Sequence, residues 1–255
     1  LDTSDEWIVS RTGVRTRHVI SHERLDDMAV EASRKALDDA GLSPDQLDFI
    51  ICSNVVNEYV TPQLSCIIQG GIGAGCPCID INCACAGFIY AVEIAESFYK
   101  AGKVKNVLVV SAEEPTRMTD WSDRRTCVLF GDGAGAAVLT PGDNIKSVKL
   151  SAASATDKLW QYRLLHPTPY ITKEEVDMPL QMKGQEVFKF AVKAAGKDIS
   201  MALKELQVKA DDVDFYLLHQ ANIRIIHAIR DYLEQPQEKF PVNIEDHGNS
   251  SSSCC

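Results

Sequence analysis

The chain has 255 residues, 45% of them hydrophobic and 24% charged, with a formal net charge of −10. This balance suits a soluble globular protein with a sizeable core, and the acidic excess argues against a nucleic-acid partner. No apolar run approaches the roughly 18 residues of a membrane span, and the opening Leu1-Asp2-Thr3-Ser4-Asp5-Glu6-Trp7 lacks the basic and apolar regions of a secretion signal.

The first element in chain order is a helix over residues 27–41. Met28, Ala29, Ala32, Ala36, Leu37 and Ala40 fall near one face, and Gly41 stands where a C-terminal cap belongs. A turn at Ser43-Pro44-Asp45 leads into a buried strand over 47–52. Residues 78–82 read as a second strand that runs straight into a helix over about 85–100. A third strand is expected over 104–111, and two more over 127–130 and 135–139. This alternation implies α/β layers around a mostly buried sheet.

The second half echoes the first. Residues 36–52 align without a gap with residues 202–218, and Ala36, Leu37, Asp45, Asp48 and Phe49 find identical partners. Each copy reads as helix, turn and buried strand, so two similar halves are expected, 1–145 and 146–255. Ligands in such sheets bind at the carboxyl ends of the strands. Those ends are Ser53-Asn54, residues 82–85, and His219-Gln220-Ala221-Asn222.

Nine cysteines, an odd number without a secretion signal, do not form a disulfide framework; they indicate a reducing, cytoplasmic compartment. In Asn82-Cys83-Ala84-Cys85-Ala86-Gly87-Phe88 a strand gives way to a helix beginning at Cys85. A thiol there meets unpaired backbone N–H groups, which favour the thiolate and so a nucleophile. The plain alternative is a buried structural thiol. His219 ends the repeated strand at the equivalent place in the second half, and Asn249 lies in His247-Gly248-Asn249-Ser250-Ser251, which also reads as a polar loop or cap. Two rival chemistries are on offer. Cys76, Cys78, Cys83 and Cys85 offer four thiols for zinc or an iron–sulfur cluster, but a strand between them opposes convergence. Gly131-Asp132-Gly133-Ala134-Gly135 suggests a nucleotide loop, but a turn at Thr140-Pro141-Gly142-Asp143 leaves no helix for a phosphate to cap, so tight backbone packing accounts better for the glycines.

Taken in order, Cys-Ala-Gly-Phe at 85–88, Phe-Gly-Asp-Gly-Ala-Gly-Ala-Ala at 130–137, His-Gln-Ala-Asn at 219–222 and Gly-Asn-Ser-Ser at 248–251 strongly resemble the β-ketoacyl-acyl-carrier-protein synthase III family. Asp2-Thr3-Ser4-Asp5-Glu6-Trp7-Ile8, Arg11-Thr12-Gly13-Val14-Arg15 and Gly184-Gln185-Glu186-Val187-Phe188-Lys189 belong to the same pattern. The resemblance implies a thiolase-like α/β fold of two pseudo-duplicated halves in a layered αβαβα arrangement, apparently truncated at both ends. The family's first strand, and a later Gly-rich strand that contributes to its oxyanion hole, have no match here. The stretch from Asp157 to His166 reads as shorter than the family's loop.

The resemblance further implies a condensing acyltransferase that starts fatty-acid synthesis. Cys85 takes an acyl group from acyl-coenzyme A, with acetyl the expected primer. His219 and Asn249 then stabilise the enolate formed as malonyl-acyl-carrier protein loses carbon dioxide. Trp7 and Arg124 are expected around the coenzyme A adenine, with Arg11 nearby. Lys189 and Arg224 are expected on the carrier-protein face, where Lys193, Lys197 and Arg230 extend a local basic patch. Thr61 is expected to influence acyl length. No cofactor is implied, and a homodimer is. A related condensing enzyme of specialised metabolism fits the same residues.

Overall fold

The computed structural model describes residues 1–163, 168–170 and 177–254. Leu164 to His166, the end of the stretch read as a shortened loop, lie outside the described residues. The helices are α1 (Asp5–Thr12), α2 (Leu25–Ala40), α3 (Leu64–Ile72), α4 (Gly87–Lys100), α5 (Gly184–Leu206), α6 (Ile223–Leu233) and the single turn α7 (Ile244–His247). The strands are β1 (Phe49–Ser53), β2 (Cys78–Ile81), β3 (Val107–Glu113), β4 (Gly133–Leu139) and a short pair, β5 (Leu159–Trp160) and β6 (Gln181–Met182).

Four strands form one sheet in the order β2-β1-β3-β4. β1 runs parallel to both β2 and β3, and β4 returns antiparallel to β3. Alternate side chains of β1 and β3 therefore serve two cores. Ile50, Cys52, Leu108 and Val110 pack with Leu25, Ala29, Leu37, Leu64 and Ile68 of α2 and α3. Ile51, Val107 and Val109 pack with Ala91 and Ala95 of α4 on the opposite face. The continuous apolar reading of β1 and β3 has this cause: both faces are covered. A third core joins α5 and α6 through Ile225, Ile226, Ile229, Tyr216 and Phe240.

The parallel strands end at one edge, where Ser53 closes β1, Glu113 closes β3 and residues 82–85 follow β2. Antiparallel β4 starts at that edge, with Gly133 opposite Glu113. Asp80 on β2 accepts hydrogen bonds from the amides of Leu64 (2.7 Å) and Ser65 (2.8 Å), satisfying two of the orphan donors at the start of α3. Thr61 lies exposed just before that helix.

The sequence repeat carries into backbone geometry. α2 ends at Gly41 and α5 at Gln207, both left-handed (φ 64° and 56°). Single 3₁₀ turns follow at Pro44–Gln46 and Ala210–Asp212, at the same spacing in each half. There the likeness stops. The strand expected over residues 213–218 has no ladder among the described residues. The Tyr216 amide donates to the Lys239 carbonyl (2.7 Å) and the Val213 amide only closes the preceding 3₁₀ turn onto Ala210 (3.3 Å), while Phe215 is 64% and Leu217 76% exposed. One face of the segment, Val213, Tyr216 and Leu218, joins the third core, whereas Phe215 and Leu217 have no covering layer among the described residues.

Two further expectations are corrected. The strand expected over 127–130 is a run of turns, because the Asp123 carbonyl accepts from the amides of Thr126 and Cys127 and winds the segment. Only Phe130 makes a β-bridge, to Asn249. The helix expected to start at Cys85 starts at Gly87; Cys85 occupies a 3₁₀ turn, Ala84–Ala86, immediately before it.

Gly87 sits where α4 meets the edge of the sheet. A Cβ built on it would lie 1.7 Å from Ser53 Oγ and 2.7 Å from Ser53 Cβ. We predict that Gly87→Ala lowers unfolding free energy by about 1–3 kcal/mol, the usual cost of overpacking a close-packed contact. Denaturant titration measures it, and a loss below about 0.5 kcal/mol, within the range of neutral surface changes, would show that the contact yields freely.

Candidate active site

The site is assembled at the carboxyl edge by a turn from the second half, the 3₁₀ turn Ser251–Cys254, with Asn249 and Ser250 leading into it. The Asn249 amide donates to the Leu129 carbonyl (2.8 Å), and the Asn249 carbonyl accepts from Gly131 (3.1 Å). Two glycines permit this approach. Gly248 adopts φ 66°, and a Cβ on Gly131 would stand 2.2 Å from the His247 carbonyl. The glycines at 131 and 133 therefore serve backbone packing: β4 begins at Gly133, and no helix follows them. Asp132, between them, is buried and accepts from the Ile20 amide (2.9 Å) and from the amide (3.1 Å) and hydroxyl (2.6 Å) of Thr116.

Once docked, the turn reaches Cys85, Asn249 and His219. Ser251 donates its hydroxyl towards Cys85 Sγ at 3.9 Å. The Ser251 amide donates to Asn249 Oδ1 (2.9 Å), which leaves the Asn249 side-chain NH₂ as the donor end of a 7% exposed amide. Cys254 Sγ lies 3.1 Å from His219 Nδ1 and bonds the Ser251 carbonyl at 3.0 Å. The structure thus joins Cys85, Asn249 and His219 in one network through Ser251 and Cys254. The segment around Asn249 that also reads as a polar loop or cap leads into this connector.

The thiols near the site differ in character. Burial raises the Cys83 thiol above its ordinary value. Burial works to raise Cys254, but the hydrogen bond and charge of His219, with backbone hydrogen bonds at Gln220 and Ser250, together hold that thiol below its ordinary value. Cys254 is only 6% exposed, whereas Cys85 is half-buried at the mouth of the turn. The four thiols weighed as a rival metal set do not converge. Cys78 meets Cys66 instead, at 3.4 Å, and among the described residues there is no group of three or more potential ligands.

His219 is placed by the residues that follow it. Gln220 donates to the Leu218 carbonyl (2.8 Å) and accepts from the Asn243 amide (3.2 Å), and Asn222 caps α6 by accepting from the Arg224 amide (2.9 Å). Asn222 Nδ2 also donates to the Arg11 carbonyl (3.1 Å), which latches α1 to the start of α6. On α1, the Trp7 ring is flanked by two guanidinium groups, with Arg124 Cζ 5.0 Å and Arg11 Cζ 5.9 Å from its centroid. Trp7, Arg11 and Arg124 therefore form one cluster.

Lys189 on α5 and Arg224 on α6 are both exposed, and the Arg224 guanidinium stands 5.9 Å from the ring of Phe188. Lys193 and Lys197 are exposed along α5. Arg230 leaves this patch: it is half-buried and bonds Asp231 (2.6 Å) and Gln237 (2.7 Å).

Sequence reasoning passed over Glu113, a carboxyl 1% exposed at the end of β3. It accepts from the Ser252 hydroxyl (2.6 Å) and the Val55 amide (3.1 Å). Burial pushes this carboxyl up to about 7, against the pull of those hydrogen bonds.

Two patterns of the 3-Oxoacyl-[acyl-carrier-protein (ACP)] synthase III family match the chain, one over residues 79–157 and its C-terminal counterpart over residues 203–255. The β-ketoacyl-[acyl-carrier-protein] synthase III of Clostridium perfringens is 42% identical over 259 residues, covering 99% of this chain and 80% of the relative. The crystal structure of 3-oxoacyl-[acyl-carrier-protein] synthase III from Aquifex aeolicus is 41% identical and superposes with a TM-score of 0.89 over 99% of this chain and 80% of that one. The priming β-ketosynthase of a polyketide biosynthetic pathway is 33% identical, with a TM-score of 0.86 over 99% of this chain and 77% of that one.

The Glu113 carboxyl makes stability pH-dependent. Its folded pKa lies above the unfolded value, so its contribution is fully present below the ordinary carboxylate range and is lost as pH rises through about 7. We predict that the stability of the wild type relative to Glu113→Gln falls between pH 4.5 and 7 by on the order of 3 kcal/mol and is flat above that. Paired denaturation curves across this range test it; a difference that grows with pH would contradict the assignment.

Proposed function

Since the chain belongs to the 3-oxoacyl-acyl-carrier-protein synthase III family, we propose that it is the condensing acyltransferase that starts fatty-acid synthesis, with Cys85 as its nucleophile. The observation that carries this reading is the turn Ser251–Cys254, which ties Asn249 and His219 to Cys85 at the carboxyl edge of the sheet.

The reaction follows from these groups. The Cys85 thiolate attacks the carbonyl carbon of acyl-coenzyme A. A new carbon–sulfur bond forms, the bond to coenzyme A breaks, and the departing thiolate takes up a proton. The Trp7 ring, with Arg124 and Arg11 about it, receives the adenine. The malonyl thioester of the acyl-carrier protein then binds with its carbonyl towards His219 and Asn249. As carbon dioxide leaves, its electron pair passes into the enolate, whose oxygen the two side chains stabilise by hydrogen bonds. Asn249 is suited to this because Oδ1 is occupied by Ser251 and its NH₂ remains to donate. When the Cys254 thiol turns its one proton from the Ser251 carbonyl to Nδ1 of His219, the neutral ring carries its own proton on Nε2, giving a second neutral donor. Neutral donors stabilise an enolate without the basicity that would quench it. The carbanion attacks the acyl-Cys85 carbonyl, and the thiolate leaves to release the β-ketoacyl carrier protein. None of these steps calls on a resident cofactor.

Lys189 and Arg224, with Lys193 and Lys197, present the basic face that an acidic carrier protein would meet on an otherwise acidic chain. The two halves, 1–145 and 146–255, supply the nucleophile and the enolate donors respectively. We place the enzyme in the cytoplasm as a homodimer; no described helix is long and apolar enough to cross a membrane. The likeness to a priming β-ketosynthase favours a second reading, a condensing enzyme that starts a specialised pathway with the same chemistry.

Labelled acetyl-coenzyme A should acylate Cys85, and Cys85→Ser should abolish the label. Label recovered on Cys83 or Cys254 would overturn the assignment. His219→Ala and Asn249→Ala should each slow malonyl decarboxylation by about 10²-fold, the scale of losing an oxyanion donor, while acyl loading persists. Normal decarboxylation with failed loading would reverse the roles given to these residues. Comparison of acetyl, isobutyryl and longer acyl donors against malonyl-acyl-carrier protein separates primary from specialised priming.

A further inference from the structure

Glu113 has no part in the chemistry just described, yet it is the buried acid nearest to the connector. It closes β3, the fully buried central strand, and its two oxygens face different parts of the molecule. One accepts from the Val55 amide (3.1 Å), just beyond the end of β1. The other accepts from Ser252 Oγ (2.6 Å), in the turn brought by the second half. Ser252 Oγ lies 3.1 Å from Ser53 Oγ, so the last side chains of β1 and β3 grip one hydroxyl between them. Ser252 is 1% exposed and Ser53 fully buried. The residue before Ser252 touches Cys85 and bonds Asn249; the residue two after it bonds His219.

We propose that Glu113 is a positioning residue, which, through Ser252, sets how far residues 250–254 descend onto the sheet edge and therefore how the Asn249 side-chain amide and the Cys254 thiol against His219 are presented to Cys85. This inference rests on the condensing reading for its kinetic consequence but not for its structural one. The physical case is one of leverage. The Asn249 backbone is fixed by its bridge to Leu129 and Gly131, so the free variable is the level of residues 250–254. A carboxyl that accepts a hydroxyl at short distance in a dry site is a strong and directional stop. Glycine at 87 clears the same space from the helix side, where a Cβ would meet both Ser53 and Ser252. A displacement on the order of 1 Å at a reacting group costs about 10²-fold in rate, so a small change in level would suffice.

Gln can replace this function and Ala cannot. With Gln at 113, the carbonyl oxygen accepts from Val55 and the amide NH₂ donates to Ser252 Oγ, which still reaches Ser53. With Ala, the hydroxyl loses its stop and Val55 its acceptor. Ser252→Ala removes the same bond from the other end while leaving the carboxylate anchored by Val55, which guards against a Glu113→Ala protein that fails to fold.

The test combines amide exchange with kinetics on the full chain. In Glu113→Ala and in Ser252→Ala, amides of residues 250–254 should exchange at least ~10-fold faster, while those of β1 and β3 keep wild-type protection. Turnover should fall by ~10-fold or more in both, with KM for acyl-coenzyme A unchanged, because Trp7, Arg11 and Arg124 lie off this edge. The double variant should be no worse than the single ones, and Glu113→Gln should stay within about 3-fold of wild type in exchange and turnover alike. Unchanged exchange in residues 250–254, or a Gln variant as defective as Ala, would overturn the positioning role. Faster exchange in a protein whose wild type condenses no acyl thioester would uphold that role and remove the functional reading instead.

Discussion

The hydrogen bonds that dock residues 249–254 on the carboxyl edge of the sheet are the constraint on which the rest of this structure depends. The bridge between Asn249 and residues 129–131 fixes the turn along the edge, and the Ser252 hydroxyl fixes it against Ser53 and Glu113. These groups are buried, so each would cost on the order of 1–3 kcal/mol if left unpaired. Their mutual satisfaction selects one seating of the second half on the first. From that seating follow the approach of Ser251 to Cys85 and the contact of Cys254 with His219. Three side chains far apart in sequence thereby share one network without touching one another through any single rigid element.

Energy and function are in tension at this edge. Glu113 is held in a place that disfavours its charge, and Gly87 gives up side-chain packing so that a hydroxyl can occupy the space. Both sacrifices lie within one residue's reach of the Ser252 hydroxyl. A core optimised for stability alone would fill this region with apolar side chains, as residues 49–52 of β1 and 107–110 of β3 do. The polar network instead buys a defined height for the donors above the thiol.

Much of this was legible in the sequence. The buried strands at β1 and β3 follow from continuous apolar runs covered by helices on both faces. The repeat was visible as identical residues at fixed spacing, and it reappears as matched left-handed caps at Gly41 and Gln207 and matched 3₁₀ turns. The ordered motifs singled out Cys85, His219 and Asn249, which the structure joins in one network, and the resemblance grouped Trp7, Arg11 and Arg124, which stand together. The failures have local causes. The apolar run at 127–130 was mistaken for a strand because periodicity does not register the turn-forming carbonyl of Asp123. The run at 213–218 has the composition of a strand but lacks partners among the described residues, and pairing is not a property of a segment alone. Glu113 escaped notice because an acid at the end of Val-Leu-Val-Val-Ser-Ala-Glu reads as an exit to solvent. The signal was available in the serine that ends the neighbouring strand and the serine-rich segment after Asn249, which together could give a buried acid its donors.

The most direct test of the account is a structure of the protein after exposure to acetyl-coenzyme A, with a non-decarboxylating malonyl thioester analogue bound. The account predicts continuous density from Cys85 Sγ to the acetyl carbon, and the analogue's thioester carbonyl within hydrogen-bond distance of both the Asn249 side-chain nitrogen and His219 Nε2. An acetyl group on Cys254 or Cys83, or an analogue whose carbonyl meets neither donor, would contradict it.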